Sequence, residues 1–207
     1  MARRTKEDAS KTRDALLDAA EAVFERRGVG GASLQEVAEA AGVTRGAVYW
    51  HFRGKADLFN AMMGRAILPF EQQWLAPGAD DGSSPLAHLR ALCFELLRQV
   101  ARDPRLQRVL AIATQRVEYV GELDAIRVRR LQVYAQAIQY FEQALRRAAA
   151  VGELRRGVAP ATAARALHAL IDGLIHHWML DRRAFDLQRV GRGALQQLLD
   201  GWGPPPR

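Results

Sequence analysis

Residues 34 to 52 read LQEVAEAAGVTRGAVYWHF, and their spacing of small and apolar side chains is that of a helix-turn-helix. Ala38 sits where the first helix must let the second approach closely. Gly42 falls at the corner, where a left-handed backbone disfavours any residue with a Cβ. Val37, Ala41, Val43 and Val48 supply the apolar contacts between the two helices. That leaves Thr44, Arg45, Gly46, Tyr49, Trp50 and His51 for the outer face of the second helix, all types that contact phosphates and base edges. A helix that presents arginine and an aromatic hydroxyl outward from a fixed angle points to double-stranded DNA as the partner.

Each residue of that face has its own chemistry. Arg45 reaches a guanine edge bidentately, the commonest specific contact, and Thr44 caps the helix. Gly46 costs roughly 1 kcal/mol of helix propensity against alanine, and a close approach to DNA accounts for the cost. Tyr49 and His51 suit phosphates, Tyr49 also a thymine methyl. Trp50 suits either DNA or packing against the preceding helix. Ser33 and Lys55 lie at helix amino termini, where amides and the dipole favour a phosphate. Ahead of the motif, Arg3, Arg4, Lys6, Lys11 and Arg13 form a basic arm whose affinity is salt-sensitive and independent of sequence. These contacts position the protein and leave the DNA sequence it prefers open.

The whole chain carries a formal net charge of +7 over 207 residues. That suits a polyanionic partner, although an arginine-rich composition alone also produces it. The only cysteine, Cys93, excludes an intrachain disulfide and a cysteine-based zinc cluster. No apolar run reaches ~18 residues and the first residues are charged, so the expectation is a cytoplasmic protein without a membrane partner.

Good helix formers dominate and alternating strand patterns are missing, which predicts an all-α fold of about nine helices. The first runs from about Ser10 to Arg27, with Leu16, Leu17, Ala20, Val23 and Phe24 on one stripe and glycines at its end. Ser33 with Glu36 makes a capping box for the second. Gly54 breaks the chain, and the fourth helix runs from Lys55 to about Trp74 with Pro69 as a kink or late boundary. Pro77 to Ser84 reads as a loop, and Ser84-Pro85 opens the fifth helix. Asp103-Pro104 divides it from a short sixth. The seventh follows Gly121 to about Val151, carrying Leu131, Tyr134, Ile138, Phe141 and Leu145. The eighth runs from Pro160 to about Leu180 and the ninth from Leu187 to Leu199. The functional division is a DNA-binding domain at 1–54, a ligand-binding and dimerisation domain at 55–202 joined to it by the fourth helix, and a flexible tail at 203–207.

The combination of Gly42-Val43-Thr44, Gly46, Tyr49-Trp50-His51-Phe52, Lys55 and Leu58-Phe59 within residues 10–59 resembles the TetR family of transcriptional repressors. The opening Ala2 to Glu7 and the segment LIDGLIHHW at 170–178 are similar, more narrowly, to multidrug-efflux repressors of the AcrR and TtgR type. The resemblance implies an all-helical homodimer on a near-palindromic operator, released when a hydrophobic small molecule enters the carboxyl-terminal domain. It implies no cofactor and no catalysis.

On the eighth helix His168, Asp172 and His176 recur at four-residue spacing, hence on one face, with Ile171 and Ile175 adjoining. Such groups need partners if buried, and a pocket holding ligand and water supplies them. The same face could instead be exposed or internally hydrogen-bonded, and imidazoles four apart can share zinc. The family pattern adds Met63, Ala66, Leu92, Cys93, Leu96, Leu110, Thr114, Tyr134, Ala137, Ile138 and Phe141 as wall residues. Polar residues common on the sixth helix of such pockets are here Leu110 and Thr114, and an aromatic on the eighth is His168. Leu167, Leu170, Leu174, Trp178, Leu195, Leu198 and Trp202, with Gly173 permitting close approach, form the expected dimer surface. Rival readings are a regulator of a metabolic operon sensing one metabolite, and a helical ligand-binding or scaffold protein without DNA function. An enzyme finds little support, Asp172 with His176 being the only polar pair to consider.

Overall fold

Caps and helix breakers set where each element starts. The protein, represented by a computed structural model, is described over the backbone of residues 2–75 and 84–204 and the side chains of 7–67 and 84–204. Among these residues the elements are α1 (Ala2–Gly31), α2 (Leu34–Ala40), α3 (Arg45–His51), α4 (Lys55–Leu75), α5 (Pro85–Arg102), α6 (Pro104–Gln115), α7 (Asp124–Ala150), α8 (Pro160–Leu180) and α9 (Leu187–Asp200). A 3₁₀ turn, Gly121–Leu123, precedes α7, and no strand occurs among the described residues.

Ser33 caps α2 through the Glu36 N–H, and the Glu36 carboxylate accepts from the Ser33 N–H, completing the box. Thr44 caps α3 through Ala47 N–H, Ser84 caps α5 through Ala87 N–H, and Asp186 caps α9 through Arg189 N–H. Pro85 and Pro160 occupy first turns, where their missing N–H costs nothing. Helix α1 begins eight residues earlier than its apolar stripe suggests, at Ala2 rather than Ser10. No breaker stands between the basic arm and the stripe, so the arm is helical. At the other end Gly28 is left-handed, with φ 73°, and Val29 N–H donates to the Arg116 carbonyl at 2.8 Å. Helix α4 continues past Pro69 to Leu75. The loop expected around Pro77 and the tail's last three residues lie outside the described residues.

The chain packs as two compact units, Met1–Leu68 with Arg105–Leu131 and Pro69–Pro104 with Gln132–Arg207. In the first, Leu16, Leu17, Val23 and Phe24 of α1 meet Val37 and Ala38 of α2, Val48 of α3, Leu58 and Met62 of α4, and Val109 and Ile112 of α6. The reading head is therefore packed on α6 and the start of α7 as well as on α4. In the second unit α5 lies along α9, with α8 against both. Gly191 makes that approach possible, since a Cβ there would stand 2.5 Å from Leu97 Cδ1. Of the α7 stripe, Phe141 and Leu145 are buried, but Leu131 is 54% exposed. Helix α7 passes from the first unit to the second at this point, so no single core collects its whole stripe.

Candidate nucleic-acid interface and ligand-binding residues

Gly42, at φ 68°, turns the chain between α2 and α3 in the conformation the corner requires. Val37, Ala38 and Val48 are buried and hold the two helices together, leaving Thr44, Arg45, Gly46, Tyr49 and Trp50 exposed. Two pairs organise this face before any partner arrives. The Arg45 guanidinium lies over the Tyr49 ring, 5.5 Å from its centroid, and donates to the Tyr49 hydroxyl at 3.1 Å. The Trp50 indole meets the His51 ring edge to face at 4.5 Å. Trp50 is 73% exposed, which decides between its two readings: it does not pack against α1. Gly46 has open space, since a Cβ would meet only Thr44 Oγ1 at 3.8 Å. Nothing inside the protein requires a glycine there, whereas a close external surface would.

His51 is half-buried, and burial first, then the Arg13 charge, holds its imidazole below the ordinary value. Lys11 and Arg13 are exposed, and Arg13 lies over the Phe52 ring at 5.3 Å. Arg3 and Arg4 lie in the first turns of α1, with side chains outside the described residues. Ser33 is exposed, but its hydroxyl is engaged in the capping box.

Lys55 needs correction. Its ammonium donates to Gly30 O at 3.0 Å and Ala32 O at 2.9 Å, and pairs with Glu122 at 3.3 Å, leaving the side chain only 12% exposed. All three contacts tie the α1–α2 connection and the turn before α7 to the start of α4. The side chain acts as an internal clamp, which sequence spacing could not reveal because its nearest partner in the chain lies 23 residues away.

The expected ligand residues fall in both units. Met63, Ala66, Leu110 and Thr114 are half-buried in the first, and the Thr114 hydroxyl donates to Leu110 O at 2.8 Å within its own helix. In the second, Cys93, Ala137, Phe141 and Ile171 are buried, while Leu92, Leu96, Ile138, Ile175 and His176 are half-buried. Burial pushes the Cys93 thiol up to about 12, so it stays protonated and unreactive. Tyr134, Asp172 and His168 form a polar cluster: the Tyr134 hydroxyl donates to Asp172 Oδ1 at 2.8 Å, and the His168 ring meets Tyr134 at 4.6 Å. Desolvation lowers the His168 pKa against the opposing pull of Asp172. The cluster joins an aromatic of α7 to the polar face of α8, a pairing absent from the sequence reading because Tyr134 and Asp172 lie 38 residues apart and spacing along one helix cannot relate them.

The expected dimer surface also changes. Leu167, Trp178 and Leu195 are buried within one subunit, and Arg182 covers the Trp178 ring at 5.7 Å. Leu170, Leu174, Leu198 and Trp202 are half-buried, and Leu174 approaches α9 at Gly191. The apolar residues that α8 and α9 expose include Leu180 and Val190, together with the small residues Ala166, Ala169 and Gly193 and half-exposed Gly173, whose Cβ position is open. Most of the large apolar residues of α8 and α9 are buried or half-buried within the subunit, and several small ones are exposed.

A short helix locked by a left-handed glycine against a third helix with a bare, arginine- and aromatic-bearing outer face defines a helix-turn-helix transcriptional regulator. The family model for bacterial regulatory proteins of the tetR family matches residues 16–62, and that for the MAATS-type transcriptional repressor C-terminal region matches 84–203. The chain belongs to the TetR family. It is 40% identical over 203 residues to the HTH-type transcriptional repressor BepR of Brucella suis, covering 98% of this chain and 97% of that protein. NalD, the secondary repressor of the MexAB-OprM multidrug efflux pump in Pseudomonas aeruginosa, matches with TM-score 0.88 and 40% identity over 95% of this chain and 99% of its own. A SmeT–triclosan complex matches with TM-score 0.86 and 35% identity, over 94% and 93% of the two chains.

Proposed function

We propose that this protein represses a multidrug efflux operon and leaves its operator when a hydrophobic small molecule binds the carboxyl-terminal domain. The outer face of α3 carries the reading: Arg45, Tyr49 and Trp50 project around a glycine that nothing internal requires. The likeness to NalD and to the SmeT–triclosan complex supplies the pump class and the ligand class. Residues 1–54 act as the reading head and 55–202 as the sensing and dimerising part. The protein works by binding rather than by catalysis, and no described helix is long and apolar enough to cross a membrane.

Thr44, Arg45, Gly46, Tyr49, Trp50 and His51 meet DNA, with Lys11 and Arg13 adding salt-sensitive affinity. In a two-fold dimer the two α3 helices enter successive major grooves about 34–36 Å apart. Tyr134 and Asp172 anchor the polar part of the ligand, and the ligand favours the state that cannot bind DNA, by about 1–3 kcal/mol of coupling. Selection of duplexes from random DNA should yield a near-palindrome. Arg45→Ala should then lose about 1–3 kcal/mol on that duplex and little on random DNA. Full discrimination by Arg45→Ala in a binding titration would refute the assignment.

A further inference from the structure

The chain passes between its two compact units three times, at 68/69, 104/105 and 131/132, and an arginine stands within four residues of each passage on the head side. Arg130 donates to Ala113 O at 3.3 Å and to the Tyr119 hydroxyl at 2.7 Å, fixing the start of α7 on the end of α6. The other two converge on α1. Arg65 Nη2 donates to Asp18 Oδ1 at 2.7 Å and to Glu21 Oε1 at 2.8 Å. Arg105 reaches the same oxygens, at 2.9 Å and 2.8 Å, and its Nε adds a bond to Glu21 Oε1 at 3.0 Å. Asp18 is largely exposed, but the Glu21 side chain is only 5% exposed. One nearly buried carboxylate oxygen of α1 thus holds the last turn of α4 before one passage and the first residue of α6 after another.

A charge buried this way loses hydration that only correctly placed guanidinium groups replace, so its geometry is stiff. Helix α1 in turn is cored against α2 and α3 through Val23, Phe24, Val37 and Val48. We infer that Glu21, assisted by Asp18, is a positioning residue for DNA binding: it sets the reading head according to where α4 and α6 enter from the second unit. Aliphatic packing of α6 on α1 tolerates sliding, whereas a shared oxygen between two guanidinium groups does not. The inference rests on the DNA-binding reading of α3 and concerns what fixes the head, not what α3 touches.

The test is a double-mutant cycle on the full-length chain, using a duplex selected from random DNA by the unmodified protein. Arg105→Met and Glu21→Gln are each expected to weaken that duplex on the order of tenfold, and the double variant no further than either alone. Arg105→Lys should recover part of the loss. Asp18→Asn, on an exposed carboxylate, gives the same test at milder perturbation. Losses that multiply in the double variant, or the absence of any loss in the singles, overturn the inference. A second arm needs no DNA. Hydrogen exchange over residues 34–51 should accelerate in Arg105→Met, but not when Arg105→Met is added to Glu21→Gln. Equal exchange there in all variants also overturns it. An unmodified protein that selects no duplex would refute the DNA-binding reading instead, and the exchange arm then decides the positioning role alone.

Discussion

The base contact proposed for Arg45 would require it to release Tyr49 first, and the magnitudes permit it. An exposed guanidinium over an aromatic ring is stabilised by about 0.5–1 kcal/mol, less than the roughly 1–3 kcal/mol of a bidentate guanine contact. The resting pair keeps the long side chain extended over α3, so less rotamer entropy is lost on binding. Lys55 shows the opposite balance. Its acceptors are two backbone carbonyls and Glu122, and removing the ammonium takes the donor from the part-buried bond to Ala32 O. Lys55→Met should therefore cost about 1–3 kcal/mol of stability in urea unfolding. The salt dependence of operator affinity should stay unchanged, because this charge releases no counterion from DNA. A salt slope lowered by about one would mean that the ammonium reaches a phosphate after all.

At the scale of elements, two glycines inside helices differ completely in their surroundings. Gly46 has open space around it, and Gly191 would place a Cβ 2.5 Å from Leu97 Cδ1. Gly191→Ala should force α5 and α9 apart and cost about 1–3 kcal/mol, read as a lowered urea midpoint. An unchanged midpoint would mean that Leu97 rotates away freely and that the approach is not a constraint. The contrast marks what was legible in the sequence. Helix starts at Leu34, Arg45, Pro85, Pro160 and Leu187 follow from Ser33, Thr44, Ser84, the prolines and Asp186, because capping is decided within four residues. The reading face was legible for the same reason, being one turn and seven residues of helix. The Lys55 clamp, the Tyr134–Asp172 bond and the shared Glu21 oxygen were not, since their partners lie 23, 38 and 44 residues or more away. For the dimer surface, periodicity marks apolar residues of α8 and α9 without saying whether a subunit's own core or a second copy covers them.

For the whole molecule, the small-residue stripe offers a surface through which two heads could act together. Ala166, Ala169 and Val190 are exposed, and Gly173 and Gly193 have no neighbour within 4 Å of a built Cβ. Small side chains let helices of a second copy approach closely, and a two-fold axis would make the surface self-complementary. Linking two heads turns the second half-site contact into an intramolecular event, which raises apparent affinity by about 10²–10⁴ without any new contact. Ala169→Glu places a charge on this stripe at a position with no role in the subunit's core. The expected result is a folded monomer by sedimentation, with urea stability of the subunit nearly retained. Its affinity for a full palindrome should fall by about that factor, while its affinity for a half-site duplex stays the same. Because each head then binds alone, the salt slope should drop to about half that of the dimer. A monomeric Ala169→Glu protein that still bound the palindrome as tightly as the parent would show that the heads are not coupled through this surface. An Ala169→Glu protein that stayed dimeric would place the interface elsewhere on the molecule.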